Sequence, residues 1–296
     1  MSNFSTLIQW NIQSINKKAI ELQKLMNEYH PLCVCLQEAC ILDRNRINYN
    51  RYDLHISRPA RNDRYEKGAA ILIHKKLYHT PINLSTRLQA VAIRVKLNKE
   101  YTICSLYLPP RHETEVTIDD IQSLIEELPT PFLLLGDMNA RSPQWGNAID
   151  NPRGILFEDL LLQNDILLLN NGEPTHYHIQ TNTYTTIDLS ICSTDCYTDF
   201  SHKVDDSLHG SDHYPIHINE TNQANYFMKF STFNTKKANW KDYQELTKST
   251  IDTQNKNVAE LTAELTQHII EAAKRTIPKN PKMLSKPPFT WWNSSC

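Results

Sequence analysis

Four acidic residues sit where apolar runs end: Glu38 after Val34-Cys35-Leu36-Gln37, Asp137 after Leu133-Leu134-Leu135-Gly136, Asp188 within Thr186-Ile187-Asp188-Leu189, and Asp212 in Ser211-Asp212-His213. A carboxylate at the end of a buried strand is costly unless a cation compensates it, either a metal ion or a protonated histidine. Mg²⁺ fits such a setting, because it takes oxygen ligands, keeps several waters and commonly uses one or two carboxylates beside a substrate phosphate. Any one of these acids alone reads more simply as a helix cap or a surface ion-pair partner. Their repetition at strand ends, next to amide and imidazole side chains, points instead to phosphate ester chemistry.

Gly136-Asp137-Met138-Asn139 resembles the Gly-Asp-x-Asn signature of the endonuclease/exonuclease/phosphatase superfamily, and the other motifs follow in the same order. Trp10-Asn11-Ile12 is similar to the family's first-strand asparagine, Gln37-Glu38 to its metal-binding glutamate, and Tyr107 in Leu106-Tyr107-Leu108-Pro109-Pro110 to its tyrosine. Asp188 matches its histidine-supporting aspartate, and Ser211-Asp212-His213 its terminal Asp-His pair. The resemblance covers about residues 4–218. It implies that Glu38 holds Mg²⁺, with Mn²⁺ as a substitute, helped by Asn11 and Asp212. Asp137 would take a proton from water, Asn139 would orient phosphate or water, and Tyr107 would lie near the phosphate. His213, oriented by Asp188, would donate to the phosphate.

A finer likeness lies in Ser142-Pro143-Gln144-Trp145-Gly146, in Pro174-Thr175 and in Trp291-Trp292-Asn293. These resemble the apurinic-like endonuclease domain of jockey-type non-LTR retrotransposons, where the Trp-Trp-Asn stretch precedes a reverse transcriptase. The implied substrate is DNA, nicked to leave a 3′-hydroxyl and a 5′-phosphate, with a reverse transcriptase domain in cis and nuclear action. Two other readings stay open: a phosphatase or phosphodiesterase of the same fold acting on a small phosphorylated substrate, and a catalytically silent nucleic-acid-binding remnant.

The elements that must position these residues are mostly strands. Thr6–Ile12, Leu32–Leu36, Ala69–His74, Ala90–Leu97, Tyr101–Leu108, Phe132–Leu135, Ile166–Leu169, Thr185–Ile191 and Tyr214–Ile218 read as strands. Lys17–Tyr29, with apolar Ile20, Leu22, Leu25 and Met26, reads as a helix, as do Ile118–Leu128 and Gly154–Leu162. Near-continuous apolar runs fit strands covered on both faces. The expected fold is α/β (α+β): a four-layered sandwich of two mixed β-sheets packed face to face with flanking helices, plus a C-terminal helical tail. The domain over 1–221 would end before a basic helical tail and linker over 222–296, with helices at Trp240–Ile251 and Val258–Thr276 and an apolar face of Val258, Leu261, Leu265 and Ile269. The unfinished aromatic pair Trp291-Trp292 suggests a piece of a longer protein.

Composition narrows the classes. Residues 1–221 hold 20 Lys+Arg against 27 Asp+Glu, and residues 222–296 hold 11 against 6. Within 44–76, nine basic residues against three acids are interleaved with Tyr49, Tyr52 and Tyr65, a mix suited to a phosphate backbone and equally to a solvated surface. With six glycines and no glycine-rich phosphate loop, a bound nucleotide is not expected. No apolar stretch reaches the roughly 18 residues of a membrane span, and the start lacks a secretory pattern, so the chain reads as intracellular. The seven cysteines lack zinc spacing and read as reduced core residues. His176 and His178, spaced as on one strand face, line the site at most and receive no role.

Overall fold

The computed structural model describes residues 7–41, 49, 51–57, 67–110, 115–221, 235–248 and 258–278. Of the tyrosine-rich basic run over 44–76, residues 44–48, 50 and 58–66 fall outside them, as do Trp291, Trp292 and Asn293. In chain order the strands are β1 (Leu7–Asn11), β2 (Cys33–Gln37), β3 (Tyr52–Ile56), β4 (Ala69–His74), β5 (His79–Ile82), β6 (Gln89–Lys96), β7 (Glu100–Tyr107), β8 (Phe132–Asp137), β9 (Ile166–Leu168), β10 (His176–His178), β11 (Thr183–Thr185), β12 (Asp188–Ser193), β13 (Phe200–Val204) and β14 (Ile216–Glu220). The helices are α1 (Ala19–Tyr29), α2 (Ile118–Glu126), α3 (Pro152–Gln163), α4 (Trp240–Thr247) and α5 (Val258–Thr276).

Two six-stranded mixed sheets form, in the orders β13-β14-β1-β2-β4-β3 and β5-β6-β7-β8-β12-β9, with β10-β11 as a separate ribbon. Only β1–β2 and β7–β8 run parallel among these pairs. Both faces of the central strands are covered, which explains their unbroken apolar runs. Between the sheets lies a core of Leu7, Cys33, Cys35, Ile71 and Ile73 against Val91, Ile93, Ile103, Leu133 and Leu135. Outside the first sheet, Leu22, Leu25 and Met26 of α1 cover Ile8, Val34 and Leu72. Outside the second, Ile121 and Leu124 of α2 and Phe157 and Leu160 of α3 cover Leu106, Leu134 and Leu189. The result is the four-layered α/β sandwich expected from the sequence.

Four strands escaped the sequence pattern: β3, β5, β10 and β13. β3, β5 and β13 are sheet edges carrying polar residues or Pro81, as edges commonly do to discourage further pairing. The single strand expected over Thr185–Ile191 divides. Thr185 pairs with His176 in the ribbon, Thr186 N–H donates to Asn147 Oδ1 and Ile187 N–H to Thr175 Oγ1, and the sheet strand begins at Asp188. Ile20, counted in the apolar stripe of α1, is exposed.

Residues 1–226 and 227–296 form two compact units. In the second, α4 and α5 are tied by Asn239 N–H to the Thr276 carbonyl at 2.9 Å and by a 2.9 Å contact between His268 Nε2 and the Leu246 carbonyl. Of the apolar face expected on α5, Val258, Leu265 and Ile269 are exposed, whereas Ala272 and Ala273 are buried. The six cysteines among the described residues are free, five of them buried, and no described helix is long and apolar enough to cross a membrane.

Candidate active site

The polar side chains gather at one end of the sandwich because register brings the strand ends of both sheets together. Asn11 is opposite Gln37, Tyr107 is opposite Asp137, and antiparallel β12 begins where β8 ends, with Asp188 opposite Asp137. A polar seam joins the sheets on the approach. Gln9 Nε2 donates to the Gly136 carbonyl at 3.1 Å, Ser190 Oγ donates to Gln9 Oε1 at 2.8 Å, and Gln37 Nε2 donates to Ser105 Oγ at 3.0 Å. Buried amides and hydroxyls that satisfy one another hold the sheets in one register and leave little play at the strand ends.

His213, 5% exposed, lies at the centre. Its Nδ1–H donates to Asp188 Oδ2 at 2.8 Å, and Thr175 Oγ1 donates to the same oxygen at 2.6 Å. Trp10 Nε1 fixes the His213 carbonyl at 3.0 Å. On the other side of the ring, Nε2 is 4.0 Å from Asp137 Oδ2 and 3.6 Å from Asp212 Oδ1, beyond hydrogen-bond reach of either. Burial alone would lower the pKa of this imidazole. The charge and hydrogen bond of Asp188, followed by Asp137 and Asp212, outweigh burial and push it up to about 10.

Asp137, 2% exposed, accepts from Asn11 Nδ2 at 2.9 Å and from the Asn139 N–H at 3.0 Å. Burial, then the charge of Asp188, push its carboxyl up to about 7 against the lowering influence of His213. It is therefore far more basic than an ordinary aspartate. Gly136 precedes it because β7 passes so close that a Cβ here would run into the Leu106 carbonyl. Asn139 has a left-handed backbone, φ 49°, and its Nδ2 donates to the Leu108 carbonyl at 3.0 Å, which leaves the second amide hydrogen for another acceptor. Buried Arg153 Nη1 donates to the Pro109 carbonyl at 2.6 Å and approaches those of Leu108 and Met138, tying together the loops after β7 and β8.

Glu38 follows β2, also with a left-handed backbone, φ 47°. Its Oε1 accepts from Tyr107 Oη at 2.9 Å and pairs with Lys67 Nζ at 3.2 Å. Asp212 is half exposed, yet its Oδ1 is buried without a hydrogen bond. The chain segments of Asn11 and Asp212 are joined by Ser211 Oγ donating to the Asn11 carbonyl at 2.8 Å. A carboxylate that attracts an ammonium group, an orphaned carboxylate oxygen and an amide oxygen make an all-oxygen donor set. That set fits a hard divalent cation such as Mg²⁺.

The structure brings Asn11, Asp137, Asp188, Asp212 and His213 into one hydrogen-bonded or ion-pairing group, with Glu38 and Tyr107 beside it and Asn139 at its rim. Lys67, Thr175, Ser211, Arg153 and His176 were not singled out for these positions. Lys67 and Arg153 carry no local signal, since each reaches its partners across the fold. The alternation of His176-Tyr177-His178 did hint at a strand face, but not which face meets His213.

A family model described as endonuclease-reverse transcriptase matches residues 101–217. The "RNA-directed DNA polymerase from mobile element jockey" of Drosophila melanogaster is 29% identical over 173 residues, 57% of this chain and 18% of that protein. The probable RNA-directed DNA polymerase from transposon X-element of the same organism is 26% identical over 175 residues, 58% of this chain and 19% of that protein. The chain thus spans about a fifth of the length of these curated relatives. The endonuclease domain of TRAS1, a telomere-specific non-LTR retrotransposon, superposes with a TM-score of 0.59 at 22% identity, covering 74% of this chain and 99% of that one. An AP endonuclease from Leishmania major gives 0.56 at 13% identity, covering 72% and 86%.

The fold is similar to those of the TRAS1 endonuclease domain and the Leishmania major AP endonuclease. The resemblance to jockey-type elements read from the motifs is borne out by the family model and by the relatives. The candidate residues lie where the two sheets meet at one end: Asn11, Tyr107, Asp137 and Asp188 on strand termini, Glu38 and Asn139 just after β2 and β8, and Asp212 and His213 in the connection 205–215 between β13 and β14.

Proposed function

We propose that this chain is a Mg²⁺-dependent endonuclease that hydrolyses phosphodiester bonds of DNA, acting as the nicking part of a non-LTR retrotransposon protein. The observation that carries the reading is the buried trio Asp188–His213–Asp137. It places an imidazole whose pKa is raised by its carboxylate neighbours beside a carboxylate of near-neutral pKa, with Asn11 and Asn139 fixing that carboxylate.

In this reading Asp137 accepts the proton of the attacking water, since a base titrating near neutrality combines availability with proton affinity. Asn139 uses its remaining amide hydrogen to hold the phosphate or the water in line. His213, held by Asp188, presents Nε2–H to a non-bridging phosphate oxygen without reorganising as charge develops. Tyr107 keeps Glu38 oriented and sits close to the phosphate. Glu38, Asn11 and Asp212 would hold Mg²⁺, which when bound neutralises charge at the phosphate and leaving oxygen. The products are a 3′-hydroxyl and a 5′-phosphate, and the former could prime a reverse transcriptase carried in cis. Such a reaction on chromosomal DNA takes place in the nucleus.

The test is relaxation of supercoiled plasmid by purified protein with Mg²⁺, or Mn²⁺ in its place, followed by ligation of the nick. Nicking lost on chelation, lost in Glu38→Ala and His213→Ala, and sealed by ligase is expected. Intact plasmid with hydrolysis of a small phosphate ester would overturn the DNA assignment, and equal cleavage by wild type and both variants would leave only binding.

A further inference from the structure

His176 is the cross-strand partner of His213. The ribbon is fastened there by Tyr177 N–H to the Asp212 carbonyl and Tyr214 N–H to the Thr175 carbonyl, both at 2.8 Å. The two imidazoles stand 4.6 Å apart between ring centroids, tilted by 57°. Each has its Nδ1 engaged behind it: His213 with Asp188 at 2.8 Å, His176 with Thr185 Oγ1 at 3.0 Å. Each turns Nε2 toward a different oxygen of Asp212, His213 at 3.6 Å from Oδ1 and His176 at 3.8 Å from Oδ2. One ligand atom from each of the three residues falls within 4.8 Å of the others.

We propose that His176, Asp212 and His213 form a zinc-binding site, and that zinc bound there inhibits the reaction assigned to the neighbouring centre. Two imidazole nitrogens and one carboxylate oxygen suit zinc, whereas Mg²⁺ prefers oxygen alone. Ligand atoms at about 2.0–2.1 Å from a tetrahedral ion lie roughly 3.4 Å apart; each ring is within a few tenths of an ångström of that from its own Asp212 oxygen, and gaps in the trio of up to 4.8 Å would have to close by at most about 1.4 Å. The engaged Nδ1 atoms supply the outer hydrogen bonds that orient metal-bound histidines, with Asp188 behind His213 forming a carboxylate–histidine–metal arrangement. Asp212 Oδ1, buried and without a hydrogen bond, already faces this space. A fourth position would remain for water or a phosphate oxygen. Zinc takes the place of the Nε2 proton that His213 would otherwise offer to the phosphate, and it engages Asp212. The inhibitory part rests on the nuclease reading above; the binding part does not.

The experiment follows Co²⁺ as a spectroscopic probe displaced by Zn²⁺, in parallel with plasmid nicking in Mg²⁺ at increasing Zn²⁺. Wild type is expected to bind one Co²⁺ with a tetrahedral visible spectrum. His176→Ala should weaken binding at least ~30-fold, and His176→Cys should restore it with a sulfur-to-cobalt charge-transfer band, which separates ligation from damage to the ribbon. His176→Ala should still nick, and its inhibition should need at least ~30-fold more Zn²⁺. Equal Co²⁺ affinity in wild type and His176→Ala overturns the site. Co²⁺ binding that depends on His176, in a protein that never nicks, supports the site and removes the nuclease reading. Nicking inhibited equally in wild type and His176→Ala removes the inhibitory role.

Discussion

Replacing Asp188 with Asn keeps the shape of the side chain and removes the charge that most raises the His213 pKa. Between an ordinary 6.5 and about 10, the preference for the charged ring amounts to about 5 kcal/mol at ~1.4 kcal/mol per pH unit. A raised pKa contributes stability that is fully present below 6.5 and lost as pH rises through about 10. The wild-type ring therefore stays protonated across any ordinary assay. In Asp188→Asn the opposing effect of burial is no longer outweighed by its main counterion, and the ring should titrate within or below the neutral range. Nicking at pH 8 should fall at least ~100-fold, because the phosphate loses a charged donor and the ring its fixed orientation. Part of the loss should return toward pH 6. Histidine NMR on ¹³C-labelled protein reads the first quantity and single-turnover plasmid nicking the second. A His213 resonance that titrates alike in both proteins, or a variant that nicks at the wild-type rate at pH 8, would refute the reasoning.

Thr175→Val removes the hydroxyl that donates to Asp188 and accepts from the Ile187 and Asp188 N–H groups. Urea denaturation should show a loss of about 1–3 kcal/mol, and kcat should fall with little change in KM. Gly136→Ala forces a methyl group into the Leu106 carbonyl and should lower Tm by several degrees, a cost on the order of 2 kcal/mol. Lys67→Met removes the ammonium that pairs with Glu38; the Mg²⁺ concentration giving half-maximal nicking should drop about 2–10-fold. Asp205 is raised by its burial but held below the usual carboxylate range by the His209 ring 3.4 Å away and by the hydrogen bond with His217 at 2.9 Å. Its stabilising contribution is present above an unfolded pKa near 3.8 and lost as pH falls through the lower folded value. Asp205→Asn should therefore flatten the acid limb of a stability–pH profile, as measured by chemical denaturation.

The amino-acid sequence by itself determined the central strands, because strands covered on both faces must be apolar along their whole length, as in Phe132–Leu135 and Ala69–Ile73. It also set the types and order of the side chains at their ends. It could not report the edge strands β3, β5 and β13, whose partial burial and polar residues leave no regular apolar pattern. Only the tertiary structure decided which ends meet. Register between β7, β8 and β12 sets Asp188 and Tyr107 beside Asp137, and the contact of two sheets brings Asn11 to Asp137, 126 positions away, and Glu38 to Tyr107, 69 positions away. Long-range proximity of this kind leaves no local periodicity to read. The same packing buries His213 between the carboxylates of Asp188 and Asp137. Identical residue types in solvent would keep their ordinary pKa values; burial and the charge of Asp188, properties of the fold alone, raise that of Asp137, and the neighbouring carboxylates outweigh burial to raise that of His213.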